Sequence, residues 1–225
     1  MPRQAIAKRR FIQAAYELFY RSGFARVGVD LIAGKAGFTK RSLYYHFRSK
    51  DHLLAEVIQF HHDLAMGHIR RWGDRLTGEI EAFLDSLFAQ LADWAAKPRW
   101  AGPGFTRIVM ELADLPGHPA RAIAGRHKKA VEEWLAHEFA VRGVAAPEEL
   151  AREIVLLLEG SAALMLIHRD PGYAKAAADA AKALARARSG SDAKHALSAG
   201  AATPKANDGG STRRRGRRAP SPHRL

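Results

Sequence analysis

The chain has 225 residues, enough for one large domain or two small ones, and it contains no cysteine. Disulfide bonds and thiolate metal sites are therefore excluded. The formal net charge of +13 at pH 7 favours a polyanionic partner, although a merely soluble basic surface would carry the same charge.

The basic charge is concentrated at the two ends of the chain. Residues 1–50 carry eleven Lys and Arg against two acidic residues, and residues 189–225 carry eight against two. Residues 51–188 carry 17 basic and 19 acidic residues and are close to neutral. We therefore expect the ends of the chain, rather than its middle, to meet a polyanion.

Neither a signal peptide nor a membrane span is predicted. The residues after Met1, PRQAIAKRRF, lack the apolar core of a signal peptide. The longest apolar run, residues 154–167, is too short to cross a bilayer and includes Glu159. These features predict a cytoplasmic protein with no membrane partner.

Apolar residues recur at helical spacing along the chain and strand signals are nearly absent, which predicts an all-α fold. Pro and Gly mark most of the breaks, and Ser49 is placed to cap the fourth helix. The predicted helices span residues 4–22, 29–36, 40–46, 50–72, 78–97, 103–114, 119–142, 147–168 and 173–188.

Three regions follow from this pattern: residues 1–50, residues 51–188 and residues 189–225. The last region is rich in Gly, Ser, Ala and Pro and has almost no large apolar residues, so we predict a disordered basic tail. Its RRRGRR run, residues 213–218, either holds DNA phosphates nonspecifically or is an inert solvated end.

Residues 29–46 predict two short helices joined by a turn that contains glycine, as in a helix-turn-helix. Thr39 is placed to cap the third helix, and Phe38 to pack against Leu43. Leu43 and Phe47 are four residues apart and share one face. We therefore interpret these three apolar side chains as structural.

The remaining side chains of this segment face outward. Two cations lie at the helix N-terminus, where the helix dipole disfavours them, and this has an evident use only when an anion binds. Two cations and two phenols at a helix N-terminus suit a phosphate backbone, with base edges within reach in the major groove. We name this set the recognition face; it comprises Thr39, Lys40, Arg41, Ser42, Tyr44 and Tyr45.

Residues 23–57, GFARVGVDLIAGKAGFTKRSLYYHFRSKDHLLAEV, resemble the DNA-binding domain of the TetR family of bacterial transcriptional regulators. The resemblance implies an N-terminal three-helix helix-turn-helix domain followed by a helical domain for ligand binding and dimerisation. It also implies double-stranded DNA, a second copy of the chain and a small-molecule effector as partners. The matching residues are Gly23, Ile32, Ala33, Ala36, Gly37, Thr39, Leu43, Tyr44, His46, Phe47, Ser49, Lys50 and Leu53.

The resemblance assigns Tyr44 and Lys50 as phosphate anchors and Arg41 and Tyr45 as candidate base readers. Arg41 stands where the family often has a small residue, and it either takes a guanine edge bidentately or adds a phosphate contact. Gly28 stands where the family usually has Ser or Thr, and it still caps the second helix. The residues expected to face DNA are Thr39, Lys40, Arg41, Ser42, Tyr44, Tyr45, Lys50 and Gly28.

The middle region resembles the family only in outline. Helix 147–168 carries too many apolar residues for a one-sided surface helix, and its small residues leave room for close approach. We predict that it pairs with a second copy together with helix 119–142, rather than forming only an internal core. The predicted dimer interface comprises Val131, Trp134, Leu157, Gly160, Ser161 and Leu164.

A small-molecule pocket is implied by the resemblance and not by the sequence itself. No charged signature selects a class of ligand, and each aromatic candidate taken alone is better interpreted as a core residue. The candidate pocket residues are Trp72, Phe88, Trp100, Phe105, Met110, Trp134 and Met165.

No metal site, cofactor or catalytic centre is predicted. His61 and His62 are adjacent and so point in different directions on a helix, and no H-x-x-x-H spacing is present. The sequence has no nucleophile elbow, glycine-rich phosphate loop or paired-carboxylate motif. We therefore expect no enzymatic activity.

These observations predict a ligand-responsive transcriptional regulator that binds an inverted-repeat operator as a homodimer. They favour a repressor over an activator. The alternative is a nonspecific DNA-coating protein that uses the basic head, residues 1–50, and the basic tail, residues 189–225. Its affinity for DNA would fall steeply as salt rises and would show no sequence preference. An enzyme or carrier on the same scaffold would need a catalytic constellation that the sequence lacks.

Overall fold

The computed structural model describes residues 3–73, 75–76 and 78–199, without the side chains of residue 3 and residues 189–199. Within these ranges all regular secondary structure is helical, which confirms the all-α prediction. No described helix is both long enough and apolar enough to span a bilayer. The helices are α1 (Arg3–Ser22), α2 (Val29–Ala36), α3 (Lys40–His46), α4 (Lys50–Gly73), α5 (Ile80–Ala95), α6 (Gly104–Glu111), α7 (Pro119–Val141), α8 (Pro147–His168) and α9 (Gly172–Ala199).

The last helix is longer than predicted. α9 continues to Ala199, so the expectation of a disordered tail from residue 189 is wrong for residues 189–199. The physical reason is local propensity: this segment contains AKHALSA, and Ala, Leu and Lys are strong helix formers. The RRRGRR run lies outside the described residues.

Capping residues set the ends of the short helices. Gly37, with φ of +77°, ends α2 in the left-handed conformation that glycine adopts without strain. Thr39 Oγ1 accepts the N–H of Ser42 at 3.2 Å, and Ser49 Oγ accepts the N–H of His52 at 3.0 Å. The two predicted hydroxyl caps are therefore confirmed, and they fix where α3 and α4 begin.

We name α1–α3 the head and α4–α9 the body, and one apolar core joins them. Phe11, Leu43 and Phe47 are fully buried in the head, which confirms the inward positions predicted for Leu43 and Phe47. The same cluster includes Ile108 of α6 and Ala124 of α7. Because this core crosses from head to body, the position of the head depends on how α6 and α7 pack.

A second core lies within the body, between α5, α7, α8 and α9. Its buried aromatic side chains are Phe83 and Phe88 of α5 and Phe139 of α7, and α8 adds Leu150 and Ile154. α9 differs, because every residue that it buries between 172 and 188 is small, so its backbone there lies close to α5 and α8. These buried residues are Ala174, Ala177, Ala178, Ala181 and Ala185.

Charged pairs line the edges of α9. Arg186 Nε donates to Glu81 Oε1 of α5 at 2.7 Å, and Lys182 Nζ lies 2.7 Å from Asp85 Oδ1 on the same helix. On the other side, the guanidinium of Arg188 reaches a carboxylate of α8 at 2.8 Å. We name the row of buried alanines on α9 the small-residue seam. Ion pairs formed by long side chains border this seam on both sides.

Candidate nucleic-acid interface

The recognition face is presented on α3 and the residue that caps it. Ser42 is half-buried, while the other members of the face are exposed. Tyr45 is 72% exposed and Tyr44 45% exposed, which is unusual for large aromatic side chains next to a packed core. Two cations and two phenols are therefore available to a partner on a helix of 7 residues.

Two side-chain contacts orient members of this face. Lys40 Nζ lies 3.1 Å from Asp30 Oδ2 on α2. Gln4 Nε2 of α1 donates to the hydroxyl of Tyr45 at 3.2 Å, a contact that sequence analysis missed. Exposed ion pairs are weak, so a phosphate can replace Asp30 beside Lys40 with little loss of folding stability.

Gly28 and Lys50 lie beside this face. Gly28 caps α2 with extended backbone and no side-chain hydrogen bond. Lys50 Nζ lies 4.2 Å from the ring centroid of Phe24, over the turn between α1 and α2. Partial burial lowers the pKa of Lys50, against the opposing effects of Asp51 and Glu111. The phosphate-anchoring role of Lys50 stays a prediction.

Glu111, the last residue of α6, connects the body to the head. Its Oε2 accepts the backbone N–H of Phe24 at 2.7 Å and that of Ala25 at 3.3 Å, in the turn before α2. One turn earlier on α6, Arg107 Nη1 donates to the carbonyl of Tyr20 at 2.9 Å. Sequence analysis missed both residues, because each meets backbone groups 87 positions away in the chain.

Tyr20 ties the loop between α5 and α6 to the end of α1. Its hydroxyl donates to the carbonyl of Gly102 at 3.1 Å and accepts the N–H of Ala101 at 3.0 Å. Together with the Glu111 and Arg107 contacts, this makes α6 and the loop before it a direct polar connection between body and head.

Histidines fill the junction between α1, α4, α6 and α7. His61 stacks on Tyr16 with ring centroids 3.3 Å apart, and His127 stacks on Phe105 at 3.8 Å. His62 Nδ1 lies 3.1 Å from His127 Nδ1, as in a hydrogen bond where one ring donates. Burial lowers the pKa of His61 and His127 to about 4, and neighbouring cationic groups contribute for His127. No cluster of three or more His, Cys, Asp or Glu in the described ranges could hold a metal ion.

We expect the free energy of unfolding to decrease as the pH falls from 6.5 towards about 4. The usual pKa of 6.5 is lowered to about 4 in the folded chain, so acid protonates the unfolded chain first. The contribution of the neutral imidazole rings to the free energy of unfolding is therefore fully present above pH 6.5 and is lost as the pH falls towards 4. Urea unfolding at a series of pH values measures this dependence.

A pair of variants isolates this effect. His127→Gln should flatten the pH dependence between 6.5 and 4, because it removes one of the two imidazoles whose pKa is lowered to about 4. The exposed His137 of the same helix is the matched control, and His137→Gln should leave the dependence as it is in the parent. Equal slopes for all three proteins would contradict the assignment.

The predicted pocket residues are distributed over several parts of the body. Phe88 is 1% exposed in the second core, and Trp72 and Trp134 pack against that core with ring centroids 5.6 Å apart. Met165 is 4% exposed on α8. These four side chains serve as packing residues in the described structure.

The other predicted pocket residues lie nearer the surface. Trp100 meets Trp94 edge-on, with ring centroids 5.6 Å apart. Phe105 and Met110 both line an open cavity of about 400 Å³ between α6 and α7. The structure thus brings two of the candidates together, and the ligand pocket as a whole stays a prediction.

The predicted dimer residues are divided between interior and surface. Val131, Trp134 and Leu157 pack against the second core, and Ser161 is 5% exposed, with its hydroxyl donating to the Leu157 carbonyl. The members that face solvent are Gly160 and Leu164.

α8 also carries exposed apolar residues that sequence analysis missed. Leu156 is 68% exposed and Ile167 69% exposed, and helical spacing puts both on the same side of α8 as Gly160. Large exposed apolar side chains concentrated on one side of a helix are a candidate contact surface. The helical spacing of residues 156, 160, 163 and 167 could have indicated this exposed side of α8. Because α8 also has apolar residues on its other sides, the spacing alone did not single it out.

These features define a helix-turn-helix protein with an all-helical C-terminal body. Residues 11–57 match the family model described as bacterial regulatory proteins, tetR family. The match covers α2, α3 and parts of α1 and α4, so this N-terminal part of the chain is similar to the tetR family. YerO and the Streptomyces coelicolor protein described below are named as transcriptional regulators, and FasR as a transcriptional activator, in agreement with the expectation that this chain is not an enzyme.

Two curated relatives align with parts of the chain. YerO of Bacillus subtilis, an uncharacterized HTH-type transcriptional regulator, is 31% identical over 89 residues, which is 39% of this chain and 31% of YerO. FasR of Mycolicibacterium smegmatis, an HTH-type transcriptional activator, is 38% identical over 81 residues, which is 33% of this chain and 37% of FasR. The chain thus spans about a third of the length of these relatives.

Solved structures share the fold over most of the chain. A TetR-family regulator from Streptomyces coelicolor superposes with a TM-score of 0.73 at 21% identity, covering 82% of this chain and 97% of that one. A TetR regulator from Streptomyces avermitilis gives 0.66 at 26% identity, covering 78% and 98%. The reduced form of NemR from E. coli gives 0.72 at 17% identity, covering 78% and 95%.

Proposed function

We propose that this protein is a ligand-responsive transcriptional repressor that binds an inverted-repeat DNA operator as a homodimer in the cytoplasm. The observation that carries the proposal is the recognition face, because it exposes two cations and two tyrosines on a capped helix of a helix-turn-helix. In this arrangement residues 1–50 bind DNA, and residues 51–188 bind the effector and the second copy.

The chemistry of the recognition face suits both parts of a DNA site. Tyr44 and Lys50 anchor phosphates, Lys40 exchanges Asp30 for a phosphate, and Arg41 and Tyr45 enter the major groove. A major groove about 12 Å wide admits a helix, and a guanidinium there takes the O6 and N7 atoms of guanine together. The basic head supplies the long-range attraction to the duplex.

The apolar side of α8 supports the homodimer. Leu156, Gly160, Leu164 and Ile167 are exposed on this helix, and a two-fold axis would bring the same residues of a second copy against them. This revises the sequence-based choice of helix 119–142, whose apolar residues Val131 and Trp134 pack inside the subunit. Two copies place two recognition faces on half-sites about 34–36 Å apart.

Release of DNA requires an effector that prefers the conformation that does not bind DNA. α6 supports such a coupling, because it lines the cavity next to α7 and also holds the head through Glu111 and Arg107. A ligand that shifts α6 would therefore shift the turn between α1 and α2.

Selection of random duplex DNA by the full chain tests the proposal. Enrichment of an inverted repeat supports a dimeric, sequence-specific regulator, and bound DNA without enrichment, lost as salt rises, supports the nonspecific coat instead. Because FasR is named an activator, a reporter behind the selected operator gives the sign of regulation. Its output falls for a repressor and rises for an activator.

Arg41→Ala is expected to relax the sequence preference at one base pair of each half-site. Loss of a bidentate contact to guanine costs about 1–3 kcal/mol of discrimination. Repeating the selection with this variant measures the effect. A preference that is unchanged while affinity falls equally for all sequences would assign Arg41 to the phosphate backbone.

A further inference from the structure

We propose that the groove between α6 and α7 binds an amphipathic carboxylate. The groove is the cavity of about 400 Å³ formed by Phe105, Val109 and Met110 of α6 with Arg121 and Lys128 of α7. Its volume falls within the range of about 300–1,000 Å³ found for small-molecule sites. The inference rests on the proposed effector response for its regulatory meaning, and it names the class of ligand.

The α6 side of the groove is apolar and partly open to solvent. Met110 is 71% exposed, while Phe105 and Val109 are partly buried and pack against the first core. Phe105 is held from behind by the stacked ring of His127. An exposed methionine next to half-covered apolar side chains gains from contact with the apolar part of a ligand.

The α7 side supplies positive charge. Arg121 and Lys128 are seven residues apart, so both lie on the side of α7 that faces the groove. Lys128 is paired with Glu159 of α8, whose other oxygen accepts the hydroxyl of Thr106 at 2.5 Å. Because Glu159 neutralises Lys128, the excess positive charge of the groove comes from Arg121.

Arg121 is held by carbonyls and not by an acid. Its Nη1 donates to the carbonyl of Leu112 at 3.2 Å and to that of Ala113 at 2.9 Å, at the end of α6. In the described part of the chain, no carboxylate lies within ion-pair distance of this guanidinium. Because a guanidinium has five donors in a fork that matches a carboxylate, Arg121 can keep these carbonyls and still bind an acid.

The complementary ligand therefore has one carboxylate and a short apolar body. The larger cavity, about 610 Å³ at the start of α4, is a weaker candidate, because Arg48 there is accompanied by Asp51 and the walls lie next to the recognition face. Arg121 contacts the carbonyl of Ala113, two residues after Glu111. A carboxylate bound to Arg121 would therefore lie close to the glutamate that holds the head.

Octanoate is a suitable probe, with octanol and octylamine as neutral and cationic analogues of the same length. Calorimetric titration of the full chain without DNA should show octanoate binding at least about tenfold more tightly than octanol, with no binding of octylamine. Equal affinities for octanoate and octanol would overturn the inference, because they would leave Arg121 without a role.

Three variants locate the site. Arg121→Gln should lower octanoate affinity at least about tenfold. Met110→Glu changes an exposed side chain and so should keep the fold, while placing a negative charge at the groove and abolishing octanoate binding. Lys129→Gln is the matched control, because the Lys129 side chain is 77% exposed and pairs with Glu133; its affinity should equal the parent's. Parental affinity in Met110→Glu would overturn the assignment.

The outcome is separable from the proposed function. An inverted repeat selected from random DNA, with no octanoate binding, would overturn this inference and leave the regulator intact. Octanoate binding that depends on Arg121 and Met110 supports the site even when no DNA sequence is enriched.

Discussion

Phe47→Ala is expected to lower the free energy of unfolding by about 3–5 kcal/mol, a large part of the stability of an ordinary domain. Phe47 is fully buried where α3 meets α4, and its ring lies edge-on to Phe11 at 6.1 Å between centroids. Its removal leaves a cavity in the core shared by head and body. Urea unfolding followed by circular dichroism measures the loss.

Tyr45→Ala is the matched control, two residues away on the same short segment. Since Tyr45 is 72% exposed, its removal should change the free energy of unfolding by no more than about 0.5 kcal/mol. The same variant should weaken DNA binding under conditions where it remains fully folded. If Tyr45→Ala destabilises the fold as much as Phe47→Ala does, the division between core and recognition face is wrong.

Replacing both Leu156 and Ile167 with Glu is expected to make the protein monomeric. Four carboxylates would then meet across the proposed two-fold axis, where apolar side chains should pack. Because two linked half-site contacts exceed one by about 10²–10⁴ in affinity, operator binding should fall by at least about a hundredfold. Sedimentation equilibrium and titration with the selected operator measure the two effects.

Val141→Glu serves as the control for the dimer variant. Val141 is 71% exposed at the end of α7 and lies outside the proposed interface. This variant should sediment and bind DNA as the parent does. A dimer that persists in the Leu156 and Ile167 double variant would move the interface elsewhere and leave the fold unaffected.

The head was predictable because its signals are local. Thr39 and Ser49 act within one helical turn, Gly37 ends a helix at its own position, and Leu43 and Phe47 lie four residues apart. Each contact depends on neighbours in the sequence, so spacing alone is enough to place it. The end of α2 and the starts of α3 and α4 follow directly from Gly37, Thr39 and Ser49.

The body was less predictable because its decisive contacts are distant in the chain. Glu111 meets backbone N–H groups, which leave no trace in side-chain identity, and Arg121 meets carbonyls at the end of another helix. In α8, apolar residues occur on every side, so composition could not show that Leu157 turns inward while Leu156 faces solvent. Such questions are decided only once the helices are packed together.

The seam beneath α9 bears on how that helix finds its axial register. A row of methyl groups has little shape, so a shift of one turn, about 5.4 Å, would bring alanines against α5 and α8 again. The same shift would separate Arg186 from Glu81, Lys182 from Asp85 and Arg188 from Glu153. Ion pairs at such partly exposed edges add little stability, but they distinguish one register from the next. In α9 the apolar seam holds the helix in place, and the charged borders determine where along its axis it stops.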